Sequence, residues 1–166
     1  MALLATLREH DIFPERKPVA DTSYPFMRDA VRMVLMDNEG RIAAIFYPKG
    51  EGTKGGYMLP GGGVDAPESV LQALAREAKE ETGCEIESIE EIGSIMEYGV
   101  GIKTRHIQEE HLFHAKVKGQ KGSPQPTRKE QSWKAEVRWL PFSELKAAIE
   151  SQAPSFARSV ALIALS

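Results

Sequence analysis

The chain has 166 residues, 42% of them hydrophobic, a size and composition that suit one domain with a sizeable core. Its net charge of −3 argues against a general nucleic-acid binder, which normally carries a strong basic excess. No apolar run approaches the roughly 20 residues of a membrane span. No signal peptide is evident, and the lone Cys84 excludes an internal disulfide, so we expect a cytoplasmic protein.

The first 25 residues contain several prolines and little periodicity, and we interpret them as an arm on a single domain that spans residues 1–166. A short helix at residues 3–10 is possible within this arm. The arm is also a possible contact to a second copy of the chain, so a homodimer is one expectation.

The next segments predict a β-hairpin. Val31, Met33 and Leu35 alternate with other residues and would share one face of a strand. A turn signal at residues 37–40 (DNEG) then separates this run from a second apolar run at residues 41–47.

A glycine-rich loop is predicted at residues 50–56, followed by a short strand at residues 57–60. Gly50, Gly52 and Gly55 match the pattern G-x-G-x-x-G. In dinucleotide-binding folds that pattern follows a strand and opens a helix. Here a strand follows, so we expect a mobile loop instead of a dinucleotide site.

A helix is predicted at residues 66–82, which contain no glycine and only Pro67 in the first turn. Asp65 at the N-cap and Glu68 at the third position would form a capping box. Gly83 suits the residue that ends a helix. The apolar stripe of this helix would comprise Val70, Leu71, Leu74, Ala75 and Ala78.

The remainder of the chain predicts more strands and then helices. An isoleucine run at residues 86–95 indicates one or two strands, and residues 111–117 and 137–140 indicate two others. Ser143 would cap a first helix, and residues 155–165 predict a second, amphipathic one. Helices between and after strands predict a mixed sheet covered by helices.

Three carboxylates, Glu77, Glu80 and Glu81, fall within five residues of the predicted helix. Like charges three and four residues apart repel each other, and the simplest interpretation is a solvated acidic face. A divalent cation offers another explanation, because Mg²⁺ prefers oxygen ligands and would cancel the repulsion.

The residues around these acids decide between the two interpretations. Gly62 is followed after five residues by Glu68, and after seven more by the run Arg76–Cys84 (REAKEETGC). This arrangement over residues 62–84 resembles the Nudix box, although Ala78 and Cys84 are smaller than the usual aliphatic residues. The resemblance implies the Nudix fold, an α/β/α sandwich around a mixed β-sheet, with the box forming a loop–helix–loop.

The resemblance also implies a metal-dependent hydrolase. Its cofactor would be Mg²⁺ or Mn²⁺, and its partner a small-molecule nucleotide rather than a nucleic acid polymer or a membrane. Glu68 and Arg76 would orient the acids, and Gly62 and Gly63 would let the backbone approach metal and phosphate. The residues that match metal ligands are Glu77, Glu80, Glu81 and the carbonyl of Gly61.

The general base is not determined by the pattern. In this family it belongs either to the box, where Glu77 and Glu80 are candidates, or to a later loop. The candidates outside the box are Glu130, Glu136, Glu109 and Glu110. We favour Glu130 because a long polar loop can bring it over the site, and rank Glu136 second.

Hydrolysis of a nucleoside triphosphate, as in MutT-like enzymes, is the first functional expectation. A nucleoside diphosphate sugar or ADP-ribose is the alternative substrate, and a nucleotide-sensing module without catalysis is the alternative of another class. Zinc binding by His106, His111 and His114 is not expected, because His111 and His114 would point to opposite faces of one strand.

Overall fold

The computed structural model describes residues 2–50 and 55–166, and the strands of these residues form one sheet. The strands are β1 (Leu3–Arg8), β2 (Met27–Met36), β3 (Arg41–Tyr47), β4 (Gly56–Met58), β5 (Gly61–Gly63), β6 (Glu85–Val100), β7 (His106–Lys118) and β8 (Glu136–Pro141). The α-helices are α1 (Glu9–Ile12), α2 (Val70–Thr82), α3 (Arg128–Ser132), α4 (Phe142–Glu150) and α5 (Phe156–Ala164), and a 3₁₀ turn lies at Asp21–Ser23. The sheet order is β1-β6-β7-β2-β3-β4, with β5 paired to β2 and β8 paired to β3.

The sheet is mixed, and helices cover both of its faces. Strand β2 runs parallel to β7 and antiparallel to β3, which confirms the predicted hairpin. Val31, Met33 and Leu35 share one face, as predicted, and pack against Leu74 of α2. Val34 points to the other face and belongs to the core formed with α4 and α5. This arrangement confirms the predicted α/β/α sandwich.

The predicted helix at residues 3–10 is wrong. Residues Leu3–Arg8 form β1, which pairs in parallel with β6, and only Glu9–Ile12 are helical. The edge of β6 offers backbone partners, and Ala5 and Leu7 pack against the core beneath. Tertiary pairing therefore overrides a weak local preference for helix.

Helix α2 begins at Val70, later than predicted, and Asp65 is not its cap. The Ser69 hydroxyl accepts the Gln72 N–H at 3.1 Å, and the Gln72 side chain accepts the Ser69 N–H at 2.7 Å. The Glu68 N–H donates instead to the Asp65 carbonyl at 2.8 Å, in a separate turn before the helix. Ser69 is the cap because it lies directly before the helical run and forms both hydrogen bonds of a capping box.

The buried face of α2 is rotated from the predicted stripe. Leu71 is 54% exposed and Ala75 is also exposed. The buried residues of the helix are Ala73, Leu74, Glu77, Ala78 and Thr82. Glu77 therefore faces the protein interior rather than water. Gly83, at φ +73°, ends the helix as predicted.

The types of the carboxy-terminal elements were predicted correctly, but one predicted helix cap was wrong. The isoleucine run lies in the single strand β6, whose pairing with β7 shifts register at three irregularities. Helix α4 begins at Phe142 after Pro141, without a side-chain cap, so the predicted Ser143 cap is wrong. Helix α5 confirms the predicted amphipathic helix, and Ser155 caps it by accepting the Arg158 N–H at 3.0 Å.

The glycine pattern before the box does not open a helix. Gly52 and most of the predicted loop lie outside the described residues, and β4 follows Gly55. A dinucleotide fingerprint would require a helix at this point. Within the described residues, no helix combines the length and apolarity needed to cross a membrane.

Candidate functional site

Two glycines of β5, Gly61 and Gly62, lie in close contact with neighbouring residues. Gly61 pairs with Arg32 of β2 and has φ +153°, and a side chain there would overlap the carbonyl of Val31. At Gly62, a Cβ atom would collide with the Glu77 carboxylate. Glycine is therefore required for the backbone to lie between the sheet and an acid of α2.

Arg76 ties the loop to the acids of α2. Its guanidinium donates to both oxygens of Glu68, at 2.6 and 3.1 Å, and to the Gly63 carbonyl at 2.9 Å. Its Nη1 also contacts Glu77 Oε1 at 2.8 Å and Glu80 Oε2 at 3.3 Å. Hydrogen bonding from Arg76 lowers the pKa of Glu68 to about 2. One side chain thus fixes the loop and two of the predicted metal ligands relative to each other.

One box glutamate, Glu77, is buried, and a second, Glu81, is partly buried. Glu77 is 8% exposed, and burial raises its pKa against the opposing hydrogen bond from Arg76. Glu81 accepts the Gly61 N–H at 2.9 Å. Burial raises the pKa of Glu81 to about 8, although the charge of Arg32 opposes this shift. A buried carboxylate with a raised pKa is stabilised strongly by a nearby cation.

The predicted donor set suits a hard divalent cation. Glu77, Glu80 and Glu81 would supply carboxylate oxygens and Gly61 a carbonyl, and the Gly61 N–H already donates to the Glu81 carboxylate at 2.9 Å. Such oxygen ligands are those that Mg²⁺ and Mn²⁺ accept in proteins. The residues present therefore fit the cofactor that the box implies.

A second group with metal-binding chemistry lies on β2 and β7. Ligand atoms of Asp29, Glu109 and His111 lie within 4.8 Å of one another, the only such trio in the described residues. His111 Nε2 is 2.9 Å from Asp29 Oδ1, and the Asp29 side chain is 50% exposed. Glu109, a candidate base, belongs to this trio instead of standing beside α2.

The loop after β7 is hydrogen-bonded to the carboxy-terminal end of α2. The Gln125 N–H donates to the Glu80 carbonyl at 2.6 Å, and the Gly122 N–H donates to the Gly83 carbonyl at 3.0 Å. Further along, Thr127 caps the short helix α3, which carries Glu130. The loop is thereby directed back toward the acids of the box.

This loop and the sheet enclose a cavity of about 290 Å³ beside Glu81. Its lining residues are Ile45, Glu81, Pro124, Pro126, Glu130, Ala135, Glu136 and Val137. Both favoured base candidates, Glu130 and Glu136, therefore face the same space as a box glutamate. Glu130 Oε2 accepts the Thr127 N–H at 2.9 Å, whereas Glu136 pairs with Arg138 at 2.6 Å.

The fourth base candidate lies in a different environment. Glu110 is 1% exposed and accepts from Arg32 Nε at 2.9 Å. Arg32 also donates to the Leu59 carbonyl at 2.9 Å and stands close enough to Glu81 to oppose the rise in its pKa. Sequence reasoning missed Arg32, although an arginine between Val31 and Met33 in an apolar strand was a usable signal.

Sequence analysis also did not identify Tyr47, the last residue of β3, as a site residue. Its side chain lies close enough to the acids to be affected by their charge. Burial raises the pKa of Tyr47, and the negative charges of Glu81 and Glu130 raise it further. Its position, last in an apolar strand and before a glycine-rich loop, was the available signal.

Comparison with known proteins agrees with this geometry. The family model of the NUDIX domain matches residues 27–160. No curated protein sequence matches the chain. A NUDIX hydrolase from Nitrosomonas europaea is similar in structure, with a TM-score of 0.63, 16% identity and coverage of 83% of this chain and 88% of that one.

Two other solved structures are similar. A MutT NUDIX hydrolase from Burkholderia pseudomallei has a TM-score of 0.60 and 21% identity, and covers 85% of this chain and 99% of its own. The NUDIX domain of Shewanella oneidensis NrtR, solved with ADP ribose, has a TM-score of 0.59 and 17% identity, with 95% of each chain covered. These identities support the fold, and the family model extends over most of the sequence. The chain belongs to the NUDIX domain family.

Proposed function

We propose that this Nudix pyrophosphohydrolase splits a phosphoanhydride bond in a nucleoside triphosphate or a related nucleoside diphosphate derivative. The proposal rests above all on the acids that Arg76 and Gly61 position, with Glu130 across a shared cavity. Glu77, Glu80, Glu81 and the Gly61 carbonyl would hold Mg²⁺ or Mn²⁺. When bound, such a cation polarises a phosphoryl oxygen and lowers the pKa of water.

The protein's own residues prepare the site for an anionic substrate. Arg76 neutralises part of the charge of Glu77 and Glu80 and keeps them against the loop. Gly62 and Gly63 allow phosphate to approach the backbone closely. Glu68 fixes Arg76 from the other side.

Glu130 is the proposed general base, with Glu136 second and the box residues Glu77 and Glu80 as alternatives. In the reaction, the water oxygen forms a bond to phosphorus, the bridging phosphorus–oxygen bond breaks, and the water proton passes to the carboxylate. Glu130 is favoured because its partner is one backbone N–H, which leaves lone pairs free. Glu136 is engaged by the charged Arg138.

A nucleoside triphosphate is the proposed substrate class, and its products would be a monophosphate and pyrophosphate. The alternative is a nucleoside diphosphate sugar or ADP-ribose, supported by the ADP ribose held by the similar Shewanella domain. A nucleotide-sensing module without catalysis is a third candidate. The retention of all three box glutamates favours catalysis over sensing.

The test is a nucleotide panel assayed with Mg²⁺ and separately with Mn²⁺. Release of pyrophosphate and monophosphate from a triphosphate supports the first candidate. Release of AMP and ribose phosphate from ADP-ribose supports the second. Binding of a nucleotide without turnover of any compound would contradict the proposed catalysis and support a sensing module.

Two further proposals concern the oligomeric state of the protein and its location in the cell. A homodimer through the amino-terminal arm, now seen to include edge strand β1, predicts a dimeric mass in sedimentation that falls when residues 1–8 are removed. A cytoplasmic location is the accompanying expectation, and fractionation of the producing cells tests it.

A further inference from the structure

Tyr47 ends β3 on the side of the sheet that faces the box acids. Because side chains alternate along a strand, Tyr47 shares a face with Ile45, which lines the cavity with Glu81 and Glu130. The edge of its ring meets Trp133, with centroids 5.9 Å apart and planes at 71°. Trp133 directly follows the helix that carries Glu130. The ring is therefore held between the sheet and that helix.

The phenol of Tyr47 can donate a hydrogen bond to a ligand here. Burial raises its pKa, and the negative charges of Glu81 and Glu130 raise it further, so the hydroxyl keeps its proton at neutral pH. Among the described residues, none hydrogen-bonds to this hydroxyl. Tyr47 is half-buried, and its hydroxyl still reaches solvent, so this donor is accessible to a ligand.

We propose that Tyr47 donates a hydrogen bond to a phosphoryl oxygen of the substrate and is thus a substrate-binding residue of the active site. The inference rests on the proposed function, since it requires a phosphorylated substrate at the box acids. Glu77, Glu81 and Glu130 are acceptors and repel a phosphate, so a neutral donor among them is the protein group that attracts one without adding charge. Trp133 positions the ring for this contact.

A purely structural role for Tyr47 makes a different prediction. If the residue serves only to pack against Trp133, phenylalanine should replace it without loss, because the aromatic contact is kept. If the hydroxyl binds phosphate, Tyr47→Phe removes one hydrogen bond to a charged group, which corresponds to roughly a 10- to 100-fold change in binding.

The experiment compares the wild-type protein, Tyr47→Phe and the control Tyr24→Phe. Tyr24 lies in the amino-terminal arm, where its hydroxyl donates to Glu9 at 3.4 Å. Calorimetry measures binding of methylenediphosphonate, a diphosphate that cannot be hydrolysed at its bridge, with saturating Mg²⁺. Mn²⁺ binding without a phosphate ligand and the melting temperature are measured in parallel.

We expect Tyr47→Phe to weaken diphosphonate binding about 10-fold or more, with Mn²⁺ binding and melting temperature unchanged. Tyr24→Phe should leave diphosphonate binding at the wild-type value. Equal binding by the wild type and Tyr47→Phe would overturn the inference while leaving the proposed function intact. Absence of both binding and nucleotide turnover in the wild type would overturn the proposed function and this inference with it.

Discussion

Two arginines on opposite faces of the sheet organise acids in contrasting surroundings. On the α2 side, Arg76 is 28% exposed and joins Glu68, Glu77 and Glu80 in what we term the box cluster. On the other side, Arg32 is 15% exposed and pairs with a Glu110 side chain that is 2% exposed. In the first group Arg76 and Glu80 remain partly exposed, whereas the second group is nearly closed to water.

The closed group extends into a chain of hydrogen bonds that runs from the interior to the exposed Arg28 and is termed the strand network. Its members are Arg28, Arg32, Glu97, Gln108 and Glu110. Gln108 donates to Glu97 at 3.0 Å and to Glu110 at 2.7 Å, and it accepts from Arg28 at 2.7 Å. Buried charges are tolerated only when they are paired and hydrogen-bonded. We therefore expect the box cluster to serve activity and the strand network to stabilise the sheet beneath it.

The largest expected effect is on activity from a change at Glu81, the acid next to the box cluster. Glu81→Gln should lower kcat/KM by more than about 1,000-fold, because metal binding supplies several kcal/mol of transition-state stabilisation. Stability of the metal-free protein should not fall, since the amide avoids ionising a carboxylate whose pKa burial raises. Steady-state kinetics and denaturant unfolding measure both. Glu87→Gln on exposed β6 is the control, and an active Glu81→Gln protein would refute the assignment.

The next largest effect is expected at Glu130, which lies in α3 at the end of the loop that follows β7. Glu130→Gln should reduce kcat by about 100-fold or more and leave Mn²⁺ binding intact, as expected of a base that is not a ligand. Single-turnover rates with the identified nucleotide are the measurement. A larger loss in Glu136→Gln than in Glu130→Gln would transfer the role to Glu136.

Stability should respond most strongly at Arg32. Arg32→Met leaves Glu110 as an unpaired buried charge and should cost about 3–5 kcal/mol in unfolding free energy. The double variant Arg32→Met/Glu110→Leu should recover most of that loss. Arg76→Met should cost less than about 2 kcal/mol while abolishing activity, because its partners Glu68 and Glu80 are more exposed than Glu110. Urea unfolding distinguishes these results, and a greater loss in Arg76→Met would reverse the comparison.

A further expected effect is a pH dependence of the metal-free protein. Burial and the charge of Glu110 raise the pKa of Glu97, and burial raises the pKa of Glu81 to about 8. A carboxyl with a raised folded pKa contributes stability that is complete below its unfolded value near 4.5 and is lost as pH rises through the folded value.

Unfolding free energy should therefore decline between about pH 5 and 9, and Glu97→Gln should reduce this decline. Denaturant titrations at several pH values, with metal chelated, provide the measurement. An identical pH profile for Glu97→Gln and the wild type would show that Glu97 does not titrate in this range.

The contrast between the clusters also explains what could be predicted from sequence. The box was readable because its spaced residues lie within a short segment, and the structure brings Glu68, Arg76 and Glu77 together. Arg32 and Glu110 are 78 residues apart, and only the parallel pairing of β2 with β7 makes them neighbours. Contacts that depend on strand order are not encoded in local spacing.

The errors in secondary structure have the same origin. Strand β1 was missed because its partner β6 is distant in sequence. The start of α2 was misplaced because Asp65 and Ser69 both offer capping chemistry, and the Glu68–Arg76 pair draws Glu68 into the loop. Glu130 could be proposed from loop length, but its proximity to Glu81 depends on hydrogen bonds between that loop and α2.

The central claim is that the glutamates of α2 hold the metal, rather than the trio of Asp29, Glu109 and His111. Electron paramagnetic resonance titration with Mn²⁺ tests this directly in the wild type, Glu81→Gln and Asp29→Asn. We expect Glu81→Gln to weaken Mn²⁺ binding by about 10-fold or more and Asp29→Asn to bind as the wild type does. Loss of Mn²⁺ binding in Asp29→Asn, with normal binding in Glu81→Gln, would contradict it.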